Sequence, residues 1–369
     1  MNIIPGSSAL NGLRGLAAFH IMIFHYLAES EELTVEAIEL NLNSSLQMPL
    51  FFLLSGFSLA LAYGKTEWEV NCCCRRKHEE GPGIPSFRSW DFYRNRFARI
   101  GPLYYMTSFL AYPIWLLGKN EFFDSDDSGK MIVRIVATIT CTGSWLFPAE
   151  TWPANPVSWT VNTLFFFYLV FPFILPRIQK MSDQSLSRWI VLLFYIQVLP
   201  FAIFFLGLFA SGNQNKIDKM YWPVTANPIS RLPVFLMGVL AGIQRTRHSR
   251  TNGGYDFNEL KIFLHDIVPW GIIVSSVSGE NIKAISSEEA ETIWKRRVDM
   301  NSFLLILYML GFGVFSAFYG GGANYHGQLV VVHMQLMVIV GLTKDGGNSV
   351  IAKLCNLKPM QVSFIALVN

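Results

Sequence analysis

Leu10-Asn11-Gly12-Leu13-Arg14-Gly15-Leu16-Ala17-Ala18-Phe19-His20-Ile21-Met22-Ile23-Phe24-His25-Tyr26 is apolar enough to enter a membrane as a helix, yet it carries an arginine and two histidines. Arg14 and His25 lie eleven positions apart, about 1100° of α-helix or roughly three turns, so both side chains leave one face with about 16 Å of axial rise between them. An ionisable pair in hydrocarbon is costly unless it faces protein or a watery cavity, which makes the pair a functional candidate by default. His20 lies about 140° from His25 and is the weaker candidate. On the pair alone, a plainer alternative has equal standing: Arg14 anchors the helix at the interface and His25 is a satisfied buried polar residue.

The 369 residues are 51% hydrophobic and 14% aromatic, and only 15% are charged. In a soluble protein about a quarter of residues are charged. The chain is therefore expected to be an all-α integral membrane protein, a polytopic helical bundle forming one domain over residues 1–369. A net charge of +3 with no concentrated basic patch argues against nucleic acid as a partner; the lipid bilayer is the first expected one. No secretory leader is evident before the first helix, which is expected to stay in place. Five cysteines give no metal spacing, and no metal is expected; Cys72-Cys73-Cys74 beside Arg75-Arg76-Lys77 is read as an exposed loop insertion ahead of an acylation site.

Apolar blocks fall at about residues 15–28, 46–63, 101–118, 131–147, 157–176, 189–210, 229–245, 262–278, 301–319, 327–343 and 351–369. The loop from Gly64 to Ile100, with Lys65, Arg75, Arg76, Lys77, Arg88, Arg94, Arg96 and Arg99, is basic enough to be cytoplasmic, and two blocks precede it, so the N-terminus is cytoplasmic too. If all eleven blocks crossed, the basic loops around Arg177, Lys180 and Arg188 and around Arg245, Arg247 and Arg250 would lie outside, and the acidic stretch Glu280 to Glu291 inside. Residues 131–147 contain Arg134, Thr138, Thr140, Thr142, Gly143 and Ser144, the least lipid-like composition of the set. Making that block re-entrant restores the charge rule and gives about ten spans with both termini cytoplasmic. Gly320-Gly321-Gly322 reads as a turn between two helices.

Before the third span comes Phe92-Tyr93-Arg94-Asn95-Arg96-Phe97-Ala98-Arg99-Ile100-Gly101-Pro102-Leu103-Tyr104-Tyr105. Arg96 and Arg99 project from one side of a helix end, and guanidinium forks suit phosphate. Most juxtamembrane arginines are anchors, and on these residues alone anchoring comes first.

Four segments in order resemble the membrane-bound acyltransferase type 3 family, which includes bacterial polysaccharide O-acetyltransferases. They are Leu13-Arg14-Gly15-Leu16-Ala17-Ala18 with His25; Pro49-Leu50-Phe51-Phe52-Leu53-Leu54-Ser55-Gly56-Phe57; Arg96 and Arg99 followed by Ile100-Gly101-Pro102-Leu103-Tyr104; and Ser158-Trp159-Thr160-Val161-Asn162 running into Phe167-Tyr168-Leu169-Val170-Phe171-Pro172. The resemblance implies an enzyme transferring acyl groups other than aminoacyl, with His25 essential, Arg14 supporting it and Arg96 and Arg99 engaging an acyl-CoA donor. Acetyl-CoA would then be a co-substrate, with no resident cofactor. Two departures stand out. Leu164 occupies a position where many bacterial members have Glu, and the last helix, opening at Lys358-Pro359-Met360, looks cut short.

Transfer to a hydroxyl needs a base, an oxyanion site and a grip on the carrier's phosphates. His25 is the natural base, and Arg14, on the same face nearer the cytosol, can hold a phosphate or line the pantetheine path. Ser55, Thr160 and Asn162 are candidate donors to the oxyanion or the acceptor, although Ser55-Gly56 is first a packing feature. His333, near Gln335 in an apolar helix, reads as structural. The acceptor is expected to be a carbohydrate or lipid-like hydroxyl, which the residues themselves do not distinguish. A multi-pass transporter using Arg14 and His25 for anion or proton passage is the alternative, as is an inactive family member; the internal repeats of many transporters are not seen.

Overall fold

The computed structural model describes residues 7–28, 44–65, 67–68, 86–117, 125–145, 155–211, 226–248, 287–319, 324–343 and 347–361. In chain order they form α1 (Ser7–Ala28), a 3₁₀ turn (Ser44–Gln47), α2 (Met48–Tyr63), β1 (Glu67–Trp68), β2 (Ser86–Phe87), α3 (Ser89–Leu117), α4 (Ser125–Ile139), 3₁₀ turns at Gly143–Trp145 and Pro156–Ser158, α5 (Trp159–Gln179), α6 (Asp183–Ser211), α7 (Pro228–His248), α8 (Ser287–Tyr319), α9 (Asn324–Leu342) and α10 (Val350–Cys355). Apart from a two-residue parallel pairing of β1 with β2, the regular structure described is helical. The cysteine run at 72–74, the block at 262–278, the triple glycine at 320–322 and residues 362–369 lie outside the described residues.

Helix boundaries depart from the apolar blocks where charged residues favour helix ends. The helix α8 starts at Ser287, well before its apolar block at 301–319. Likewise α3 begins at Ser89, with Asp91 in its first turn paired to Arg94 at 3.4 Å, which puts Arg96 and Arg99 inside the helix and not at its end. The block at 351–369 is not one continuous helix: α10 has six residues and ends at Asn356, before a further turn at 358–361. Among the described residues one helix, α5, is both long and apolar enough to cross a membrane; Met48–Tyr63 and Val331–Leu342 are apolar over shorter lengths. Exposed Leu103, Met106, Phe109 and Leu110 on α3, and Phe303, Leu304, Ile306, Leu307 and Leu310 on α8, give outer faces suited to hydrocarbon.

The chain forms two compact units, Met1–Gly64 with Met181–Tyr195 and Val234–Asn369, and Lys65–Lys180 with Ile196–Pro233. In the first, α2 and α7 meet backbone to backbone. A Cβ on Gly56 would stand 2.2 Å from the Phe235 carbonyl oxygen, and one on Gly238 would stand 2.2 Å from that of Leu53. Only hydrogen fits at either contact, the small-residue packing that membrane helices use in place of a hydrophobic drive. Arg14 meets Leu54 and Ser58 while His20 meets Gln47, so α1 runs antiparallel to α2. Gly64, just past α2, lies against Ile243 and Thr246 of α7. Arg247 binds Asp183 at the start of α6 at 2.5 Å, and Arg245 donates to the Thr343 carbonyl at 2.8 Å, just past α9. One end of this unit thus gathers the start of α1, the end of α2, the start of α6 and the ends of α7 and α9.

In the second unit Phe92 stacks on Phe171 with ring centroids 5.4 Å apart, Tyr93 reaches Leu169, and Phe97 and Tyr104 both pack on Phe165. As α3 advances α5 recedes, so the pair is antiparallel, and the chain between them must leave and return at the same end. The 15-residue α4 is about 22 Å long, shorter than the roughly 30 Å of a bilayer's hydrocarbon core. Its C-terminal end lies beside α3, with Tyr104 and Tyr105 donating to the carbonyls of Thr138 (3.0 Å) and Ile139 (2.8 Å). The chain then turns at Cys141, whose φ is +56°. Buried Arg134 and Thr138 face inward, whereas Ile132, Val133, Val136 and Ile139 are exposed.

Candidate active site

Burial on α1 runs along Leu10, Leu13 and Ala17, and His20, seven positions after Leu13 and three after Ala17, continues that face. The half-buried His20 accepts a hydrogen bond at Nδ1 from Gln47 Nε2 at 3.1 Å, and the same amide reaches Met309 Sδ at 3.8 Å. In that arrangement the ring proton is on Nε2. Arg14 lies on the shoulder of the buried face and spans to α2: Nη1 donates to Asn11 Oδ1 at 2.9 Å, and Nη2 donates to the Leu54 carbonyl at 2.9 Å and to Ser58 Oγ. His25 shares the azimuth of Arg14 but has a shorter side chain. It is exposed in the last turn of α1, its ring packed edge-on against Phe24 at 5.5 Å. The stripe expected to carry the chemistry and the stripe that is buried are therefore different, and the histidine ranked lower on spacing is the more enclosed.

Ser55 is half-buried on the turn of α2 that Arg14 grips. His333 is buried, with its ring 4.9 Å from that of Phe194. The nearby Gln335 donates to the Leu46 carbonyl at 2.7 Å.

The second unit holds Arg96, Arg99, Thr160 and Asn162. Three positions on a helix turn the side chain through about 300°, and that offset decides the two arginines' surroundings. Arg96 is half-buried, its guanidinium 5.6 Å from the centroid of Phe92, and it lines a cavity of about 320 Å³ with Tyr93, Phe97, Trp145 and Phe166. Arg99 is exposed. Tyr93 donates to the Leu169 carbonyl at 3.0 Å, and burial raises its phenol above the ordinary value, so it remains a donor. Thr160 donates to the Val157 carbonyl at 3.0 Å, which occupies its hydroxyl proton. Asn162 is fully buried beside Tyr104, and among the described residues neither of its amide atoms makes a well-formed hydrogen bond.

Among the described residues there is no cluster of three or more metal-ligating side chains. Spacing alone did not find Gln47, Trp145 or Thr142; the only signal for the last two was the irregular polar composition of residues 138–144.

The described residues thus make a helical protein with apolar outer faces, an arginine tied to a neighbouring helix and a second arginine in an aromatic cavity. The family model described as an acyltransferase domain, type 3, matches residues 7–356, and the chain belongs to that family. Neither the curated proteins nor the solved structures yield a match.

Proposed function

We propose that the protein moves an acyl group, acetyl in the first instance, from a cytoplasmic acyl-CoA to a hydroxyl of a carbohydrate or lipid-like acceptor. The observation that carries this is the acyltransferase family match over residues 7–356, which contains every motif named above. His25 takes the acceptor's proton as the hydroxyl oxygen attacks the thioester carbonyl; the C–O bond forms, the C–S bond breaks, and the proton passes to the leaving CoA thiolate. Arg14 supports this step from a fixed position, because its bonds to Leu54 and Ser58 hold the guanidinium against α2. Arg96 and Arg99 grip donor phosphates. Ser55, Thr160 and Asn162 are the proposed donors to the oxyanion or to the acceptor.

Free CoA thiol released from acetyl-CoA by the purified protein tests this reading; no release in the presence of hydroxyl acceptors would refute it. Arg96→Ala and Arg99→Ala should each raise the donor KM about tenfold or more with little change in acceptor KM, as expected for charge-assisted contacts that bind ground and transition states equally. Unchanged donor KM in both variants would return the two arginines to membrane anchoring.

The enclosure of His20 favours a second reading, in which it is the base once Gln47 releases its Nδ1. Comparing His20→Ala with His25→Ala separates them.

We further propose a cytoplasmic N-terminus with the ends of α2, α7 and α9 on that same side; residues 327–343 then run from outside to inside, opposite to the sense the ten-span expectation gives them. The gathering of the α6 start and the α7 end at one end of the first unit supports placing both basic loops on one side. In a cysteine-free background, Ser185→Cys should be labelled only after permeabilisation, and so should Ser287→Cys, because Val298 of α8 packs on Gly341 near the same end of α9. The reverse pattern would contradict the orientation.

A further inference from the structure

The cavity beside Arg96 has a composition that the phosphate-gripping role does not need. Its walls are Phe97, Trp145, Phe165, Phe166 and Tyr168, and at about 320 Å³ it is at the lower end of small-molecule pockets, roughly 300–1,000 Å³, and far larger than a two-carbon acyl group requires. Trp145 and Phe166 meet edge to face at 4.9 Å, which fixes one aromatic wall. The polar lining comes from the turn after α4. Thr140 Oγ1 donates to the Val136 carbonyl at 2.8 Å, so the hydroxyl pair it forms with Thr142, also at 2.8 Å, takes its proton from Thr142. A hydroxyl has one proton, so Thr142 Oγ1 keeps its lone pairs for an incoming N–H donor.

Flat aromatic walls, an acceptor oxygen and a guanidinium suit a planar heterocycle with an exocyclic amine and a phosphate nearby. An acyl chain would use the apolar surface and leave the acceptor idle. We infer that this cavity binds the adenosine end of the donor, with Arg96 at the phosphate side, so that the turn at Thr140–Trp145 is a nucleotide-binding element. The inference rests on the acyl-CoA reading above.

The probes are adenosine 3′,5′-bisphosphate and S-acetylpantetheine, each titrated against the full-length protein in detergent. The bisphosphate should bind wild type. Trp145→Leu should weaken it about tenfold, as loss of a stacking face does. Thr142→Val, nearly isosteric and so a safeguard against misfolding, should weaken it several-fold; S-acetylpantetheine should bind all three proteins alike. Bisphosphate affinity unchanged in Thr142→Val and Trp145→Leu, or no binding to wild type, would overturn the inference even if acetyl transfer is observed. Cavity-dependent bisphosphate binding without any acetyl transfer would support the nucleotide site while refuting the enzyme reading.

Discussion

His25→Ala is expected to lower acyl transfer by about two to four orders of magnitude, the usual loss when a positioned general base is removed. The protein should still fold. His25 is exposed and its described ring contact is with its neighbour Phe24, so truncation removes little packing. His20→Ala differs: it breaks the bond to Gln47 on the buried face of α1 and should lower stability by about 1–3 kcal/mol while transfer by the folded fraction persists. Kinetics normalised to folded protein, measured for both variants, decide between the histidines. Loss of transfer in His20→Ala with wild-type rates in His25→Ala would move the base to His20.

Gly238→Leu should abolish folded protein. The new Cβ would lie 2.2 Å from the Leu53 carbonyl oxygen and 3.0 Å from Phe57 N, both backbone atoms that cannot move without displacing α2. Ordinary overpacking costs about 1–3 kcal/mol, and a clash with the backbone exceeds that. Because Arg14 is held by the same helix, its site would go with the fold. Gly311 on α8 is the contrast: a Cβ there meets nothing within 4 Å, so Gly311→Ala should be neutral or stabilising by up to about 1 kcal/mol. Size-exclusion profiles of detergent-solubilised protein check both, and a monodisperse Gly238→Leu peak at wild-type yield would contradict the packing described.

Much of this was legible in the chain because lipid constrains composition strongly. The α5 and α7 segments follow closely from apolar blocks, and the arginine and threonines of residues 131–147 marked a segment poorly suited to lipid, in which the helix α4 is only 15 residues long. Helix starts were less visible, since hydropathy registers hydrocarbon and not hydrogen bonding: α3 and α8 begin at Ser89 and Ser287, ahead of their apolar parts. The spacing of Arg14 and His25 gave their shared azimuth correctly but could not show which azimuth packs, because that depends on α2 and on Gln47, 27 residues beyond His20. Arg96 and Arg99 looked equivalent for the same reason. Only the placement of Phe92 and the turn at Cys141 encloses one and leaves the other exposed.

The central claim is that the chain is a transferase and not a carrier. Proteoliposomes supplied on one side with acetyl-CoA labelled in the acetyl group, together with hydroxyl acceptors, test it most directly. The account predicts label in an ester product with an equal amount of free CoA thiol, both lost in His25→Ala. Intact labelled acetyl-CoA or acetate accumulating across the bilayer, with no thiol released, would contradict it.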